Sequence, residues 1–154
     1  YLAKPFNEDE LHVRLKKLIE LRKHLRERYT SMELLPQTND RAIQVEDTFM
    51  MKIRSIMESH LDNDQFGIHE LCKEIGMSRA QLYRKFKSLT DKTVNEYLIN
   101  FRLFKAKQLL VQTNLNVSEV ACEVGFKNLS HFSRAFREEF GQNPSGLKKN
   151  ESRQ

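Results

Sequence analysis

The sequence predicts an all-α protein, and three observations support that prediction. The 154 residues include only 5 Gly and 3 Pro, so few positions interrupt a helix. Apolar residues recur with a helical period through almost the whole chain. A segment near residue 70 also recurs near residue 119, and each copy has the pattern of two short helices joined by a glycine turn. The expected fold is two such helical pairs joined by a longer helix, with an additional amphipathic helix in front.

The chain begins with a short apolar segment, residues 1–6, that fits a strand. Asn7 is a suitable N-cap for the next helix, because three acidic residues follow it in the first turn. This helix should extend to about Tyr29, and its leucines have the spacing of a short coiled coil. The predicted homodimer seam is Leu11, Leu15, Leu18 and Leu25. For residues 11–19, packing on the same chain is an equally good interpretation, whereas residues 22–29 are predicted to form a dimer seam or an exposed tail.

Residues 30–46 are polar, lack sustained periodicity and are interpreted as a linker. A helix is then predicted from about Glu46 to about His60, with Phe49 and Ile53 on its apolar face.

The repeat aligns residues 68–77 with residues 117–126. Gly76 and Gly125 fall where the first helix of each copy must end in a sharp left-handed turn. Ser78 and Asn128 are the expected N-caps of the second helices. The predicted cores of the two pairs are Leu71, Ile75, Leu82 and Phe86 in the first copy and Val120, Val124, Phe132 and Phe136 in the second. A capped helix–turn–helix found twice favours a DNA-binding module over two packed helical hairpins.

The outer face of each second helix fits double-stranded DNA. Residues 78–87 contain four basic and no acidic side chains, as suits a helix lying in the major groove between phosphates. Arg84 can bond guanine with two hydrogen bonds, and Gln81 can bond adenine. The outward residues are predicted to be Arg79, Ala80, Gln81, Tyr83, Arg84 and Lys87 in the first copy. In the second they are Lys127, Asn128, Ser130, His131, Arg134 and Arg137. The helix between the copies, residues 94–112, is about 28 Å long, enough to hold both near one DNA turn apart.

Composition narrows the function classes. The net charge of +5 permits nucleic-acid binding without requiring it. No apolar run is long enough to span a membrane, no signal peptide is visible, and a cytoplasmic location is expected. Cys72 and Cys122 are expected to be buried thiols. Neither a metal-ligand cluster nor a catalytic motif is found, so no metal, cofactor or enzymatic activity is expected.

Several motifs resemble the DNA-binding domain of the AraC family. The first copy contains Gly-Met-Ser at residues 76–78 and Leu-Tyr-Arg-Lys-Phe-Lys at residues 82–87. The second contains Asn-Val-Ser-Glu-Val-Ala at residues 116–121 and Ser-His-Phe-Ser-Arg-Ala-Phe-Arg at residues 130–137. The resemblance implies a seven-helix domain with two helix-turn-helix units over residues 47–149, followed by a tail, residues 150–154. It implies a transcription regulator whose partners are promoter DNA and RNA polymerase. Its base-contact positions fall on Ala80, Tyr83, Arg84, Leu129, Ser130, His131 and Arg134.

The start of the chain resembles something different, the last strand and helix of a response-regulator receiver domain. Lys4, before Pro5, matches the lysine that contacts the phosphorylated aspartate in such domains. Residues 1–29 are therefore expected to be the end of a receiver. The whole protein would be a two-component regulator, or a hybrid sensor with kinase activity upstream and an anchor in the inner membrane.

Three alternatives to this function are considered. A stand-alone AraC-type regulator sensing a small molecule needs an upstream effector barrel, and Lys4-Pro5 argues against one. A helical protein-interaction module would use the same faces to bind a protein. A DNA-repair alkyltransferase would use the domain only for targeting, but it needs a cluster of reactive cysteines.

Overall fold

The computed structural model describes residues 7–33, 35 and 37–151, without the side chains of residues 149–151. Within these ranges it contains helices and no strand, which confirms the all-α prediction. Residues 1–6, including Lys4 and the predicted strand, lie outside the described residues. The helices are α1 (Glu8–Thr30), α2 (Arg41–Ser59), α3 (Ile68–Ile75), α4 (Arg79–Thr90), α5 (Val94–Gln112), α6 (Val117–Glu123), α7 (Leu129–Phe140) and α8 (Pro144–Glu151). Helices α2 to α8 form the seven-helix domain, and α1 is the additional helix.

Helix α1 begins where the sequence predicts, because the side-chain oxygen of Asn7 accepts a hydrogen bond from the Asp9 backbone N–H at 3.0 Å. Its first half is exposed, with Leu15 at 48 % and Leu18 at 61 % exposure. Leu11 is half-buried.

The prediction for the end of α1 is wrong. Leu25, assigned to the dimer seam, packs against the hydrophobic core around α2 and α4, and Tyr29 is fully buried there. Helix α1 packs on α4, so its last turns are neither an exposed tail nor free for a partner. The pattern was ambiguous because packing on another part of the same chain and packing on a second copy both require an apolar stripe.

A largely buried ion pair joins the end of α1 to α2. Arg28 donates to both carboxylate oxygens of Asp47, from Nε at 2.8 Å and from Nη2 at 2.5 Å. The Tyr29 hydroxyl donates to the same carboxylate at 2.8 Å. Hydrogen bonding from Arg28 holds the pKa of Asp47 below its ordinary value, and burial raises the pKa of Tyr29. We call Arg28, Tyr29 and Asp47 the clasp.

Helix α2 starts earlier than predicted, at Arg41, so residues 41–46 of the predicted linker are helical. The Asp40 side chain accepts hydrogen bonds from the Ala42 and Ile43 backbone N–H groups and caps the helix. Ile43 is buried, whereas Val45 stays exposed. The first turn of α2 therefore shows little periodicity and resembled a linker.

Two hydrophobic cores lie side by side, one under each helical pair, and both contain the predicted residues. Helix α5 has the predicted limits and contributes to both cores. Its first half adds Val94, Tyr97, Leu98 and Phe101 to the first core, and its second half adds Leu103, Ala106 and Leu110 to the second. Leu61, in the loop between α2 and α3, packs against both.

The cysteines are less buried than expected. Cys72 is half-buried, and Cys122 is exposed because the short helix α6 turns only one face toward the core. In the described part of the chain, no helix has the length and apolarity needed to cross a bilayer. The same residues contain no group of three or more His, Cys, Asp or Glu placed to hold a metal ion.

Candidate nucleic-acid interface

The first unit, α3 and α4, has the predicted turn. Helix α3 ends at Ile75, and its C-cap, Gly76, has a φ of +73°, in the left-handed region that favours glycine. Ser78 and Gln81 then form a reciprocal cap of α4. The Ser78 hydroxyl accepts from the Gln81 backbone N–H at 3.3 Å, and the Gln81 side-chain oxygen accepts from the Ser78 N–H at 3.0 Å.

The second unit, α6 and α7, repeats this construction. Gly125 has a φ of +75°, and Phe126 donates its N–H back to the Ala121 carbonyl at 2.9 Å. The Asn128 side chain caps α7 by accepting from the His131 N–H at 3.0 Å. The internal repeat of the sequence is therefore a repeat of structure.

Both second helices turn an apolar face inward and a polar face to solvent. Leu82 and Phe86 in α4, and Phe132 and Phe136 in α7, are fully buried. Every residue predicted to face DNA on these helices is exposed. In the first unit these are Arg79, Ala80, Gln81, Tyr83, Arg84 and Lys87, and in the second Asn128, Leu129, Ser130, His131, Arg134 and Arg137.

The first unit is less strongly basic than its sequence indicates. The Lys85 Nζ lies 2.9 Å from the Glu46 carboxylate and 4.6 Å from the centre of the Phe49 ring. Lys87 donates to the Asp91 backbone carbonyl at 2.8 Å and lies 3.7 Å from its carboxylate. Glu46 belongs to α2 and cannot be associated with α4 from the local sequence. Within the described residues, Arg79 and Arg84 are the basic side chains of α4 without an ion-pair partner.

Two predicted base-reading residues have second roles. The Gln81 oxygen belongs to the cap, which holds this side chain at the start of α4 and leaves its amide N–H groups for a ligand. The His131 ring lies 5.6 Å from the Phe126 ring, so an aromatic neighbour orients it. Arg134 and Arg137 project from the exposed face of α7.

Helix α5 holds these surfaces apart. Its 19 residues give it a length of about 28 Å, somewhat less than one turn of B-DNA, roughly 34 Å. One chain thus presents two capped, exposed helices joined by a continuous helix of 19 residues.

Comparison with known proteins identifies this architecture. Residues 71–150 match the family described as a helix-turn-helix domain. The chain belongs to the AraC family of such domains. It is 27 % identical to the C-terminal domain of the two-component response regulator yesN from Fusobacterium nucleatum, with a TM-score of 0.58 over 68 % of this chain and 98 % of that one. It is 29 % identical to the DNA-binding domain of AdpA, solved in complex with a target DNA. That match has a TM-score of 0.60 and covers 65 % of this chain and 89 % of that one.

A longer match is to histidine kinase P4 of Formosa agariphila, which is 32 % identical over 145 residues and 94 % of this chain. The chain spans 11 % of that kinase, and 36 % and 26 % of the next two curated relatives. The chain therefore spans only a minor part of the length of these relatives. The described fold is that of the DNA-binding domain of an AraC-type transcription regulator.

Proposed function

We propose that this chain is the DNA-binding output domain of a two-component response regulator or hybrid sensor. In this proposal α4 and α7 enter two successive major-groove segments of promoter DNA. The observation that supports it best is the pair of capped helices, each with a buried apolar face and an exposed face that carries two or more basic residues beside polar ones, Gln81 in α4 and Ser130 and His131 in α7. RNA polymerase bound at the same promoter is the proposed protein partner.

The residues of the two exposed faces suit different kinds of contact with DNA. Arg84 and Arg134 have guanidinium groups able to form two hydrogen bonds with guanine, while Ser130 and His131 bond base edges singly. Ala80 and Leu129 provide apolar contacts, for example with a thymine methyl group. Arg79, Lys87 and Arg137 contact phosphates, Tyr83 contacts the bases beside Arg84, and Asn128 contacts DNA from the start of α7.

Selection of binding sites from random DNA, followed by gel-shift titration, tests this assignment. We expect enrichment of a motif of two half-sites, with affinity lost in Arg84→Ala combined with Arg134→Ala. Arg14→Ala combined with Lys23→Ala is the matched control, because it removes the same charge from exposed positions on α1. The assignment is wrong if both double variants weaken binding equally, or if neither does.

The two-component part of the proposal is supported by the kinase match, which is long enough to include most of α1. Phosphorylation of an upstream receiver would change the packing or dimerisation of that receiver, and α1 would transmit the change to α4. Lys4 would sense the phosphorylated aspartate. The full-length protein, treated with acetyl phosphate, should bind its operator more tightly, and Lys4→Ala should abolish that gain. An equal gain in the variant would remove Lys4 from the mechanism.

The exposed half of α1 is proposed as a homodimer seam through Leu11, Leu15 and Leu18. Ile19, exposed by 67 %, adds apolar surface beside this seam. Leu18→Asp should convert a dimer to a monomer in sedimentation experiments, whereas Lys16→Asp on the polar side should not. A monomeric wild type, or a dimer that survives Leu18→Asp, would contradict the seam.

A further inference from the structure

The two helix-turn-helix units meet directly, through residues that do not belong to the exposed faces of α4 and α7. The contact involves the α2–α3 loop of the first unit, Arg102 of the spacer helix α5, and the α6–α7 turn of the second unit. Arg102 is 8 % exposed, and its Nη2 donates to the Asn63 backbone carbonyl at 2.7 Å. Burial lowers the pKa of this guanidinium, and nearby Asp64 acts in the opposite direction.

Gly125 closes the contact from the other side. A Cβ placed on this residue would lie 2.6 Å from the Leu61 carbonyl oxygen and 3.0 Å from Cζ and Nη2 of Arg102. No side chain fits there unless the loop, the arginine or the turn moves. The absence of a Cβ is what allows the second turn to rest on the first unit. We call Leu61, Asn63, Arg102 and Gly125 the joint.

An ion pair and an apolar contact extend the joint. Lys127, just before α7, lies 3.4 Å from the Asp64 carboxylate of the α2–α3 loop. Leu61 packs against the hydrophobic cores of both units. The loop of the first unit therefore touches the second unit immediately before its recognition helix.

The equivalent glycine of the first unit has no such neighbour. Gly76 has nearly the same φ as Gly125, +73° against +75°, yet a Cβ there would meet nothing within 4 Å. The left-handed turn accounts for both glycines, whereas the close approach applies only to Gly125. The joint is thus a feature of the second copy and not a general requirement of the turn.

We propose that the joint sets the angle between the two recognition helices and so determines which spacing between half-sites the protein accepts; this inference rests on the proposed function. Helix α5 alone fixes the separation along its axis, and the second contact prevents the second unit from rotating about that axis. One added base pair moves a half-site by about 3.4 Å along the DNA axis and rotates it by about 35° about that axis. The protein can bind both half-sites of such an operator only if its two units can change their relative orientation. Arg102 and Gly125 are positioning residues in this scheme, since neither lies on the DNA-facing surface.

The first test uses operators with one base pair added or removed between the half-sites. Wild type and Gly76→Ala should lose about tenfold or more in affinity on the altered operators, whereas Arg102→Met and Gly125→Ala should discriminate by only about threefold. Gly76→Ala is the matched control, because it has the same backbone strain without the clash. Full discrimination in folded Arg102→Met and Gly125→Ala would overturn the proposal.

The second test needs no DNA, so it separates failure of the joint from failure of the proposed function. A spin label on Cys122 reports the second unit, and one on a cysteine introduced as Lys73→Cys, with Cys72→Ser, reports the first. The distance distribution should be narrow in wild type and Gly76→Ala and broader or shifted in Arg102→Met and Gly125→Ala. If Arg102→Met does not fold, Asp64→Ala is used instead. It breaks the exposed ion pair with Lys127 and should also broaden the distance distribution. Unchanged distributions in the folded joint variants would overturn the proposal even if DNA binding is as expected.

Discussion

The clasp between α1 and α2 gives the sharpest prediction about stability. Asp47→Ala removes the carboxylate that accepts two hydrogen bonds from Arg28 and one from Tyr29. The side chains of Arg28 and Asp47 are only 5 % and 14 % exposed. The substitution therefore leaves the Arg28 guanidinium without its anionic partner at a position with little access to water.

The size of the effect follows from that burial. Each hydrogen bond to a charged group is worth about 1.5–3 kcal/mol, but the three share one carboxylate and do not add fully. Breaking one partner of a buried ion pair costs about 3–5 kcal/mol. We expect Asp47→Ala to lower the free energy of unfolding by about 3–4 kcal/mol, or the melting temperature by roughly 10 °C.

An exposed ion pair with the same N···O distance provides the control for burial. Arg14 and Glu10 also lie 2.5 Å apart, but their side chains are 49 % and 52 % exposed. Glu10→Ala should cost no more than about 0.5 kcal/mol, because exposed pairs on a helix are screened by water. Urea denaturation followed by circular dichroism measures both variants. Equal losses in the two variants would refute the argument that burial makes the clasp strong.

Three further predictions concern pH, packing and salt. The stability advantage of wild type over Asp47→Asn should be complete above about pH 5. It should disappear as the pH falls through the pKa of Asp47, which is depressed below about 4, because protonation of the carboxylate ends the ion pair. An advantage that does not change with pH would contradict this prediction. Phe132→Ala should lower the free energy of unfolding by about 3–5 kcal/mol in urea denaturation, because the side chain is fully buried, and a loss under 1 kcal/mol would be inconsistent with that burial. Arg79→Ala should reduce the salt dependence of DNA binding by about one phosphate contact, and an unchanged slope would exclude that contact.

The helices and the two capped turns are predictable from sequence because their signals are local. The limits of α5, the αL glycines and the caps at Ser78 and Asn128 all depend on residues within four positions of each other. The exposed faces of α4 and α7 follow from the same periodicity, since the buried positions fix which residues point outward.

The contacts that modify the interface depend instead on distant residues. Arg28 and Asp47 are 19 positions apart, and Arg102 and Asn63 are 39 positions apart. No periodicity records that Glu46 neutralises Lys85, and nothing in the repeat distinguishes Gly125 from Gly76. The sequence therefore predicts which residues of α4 and α7 are exposed, but it overestimates the free charge of the first unit and does not reveal the joint.

The burial of Tyr29 has a practical consequence for dividing the protein into fragments. A fragment beginning at residue 47, the domain boundary expected from sequence, would lack Tyr29, Asp40 and Ile43. It would thus have an emptied pocket in its first core and an uncapped α2. A fragment beginning ahead of Leu25 retains the whole core. When this DNA-binding domain is fused to a different protein, the last two turns of α1 should be kept with it. The junction between the two proteins should lie in the exposed half of that helix.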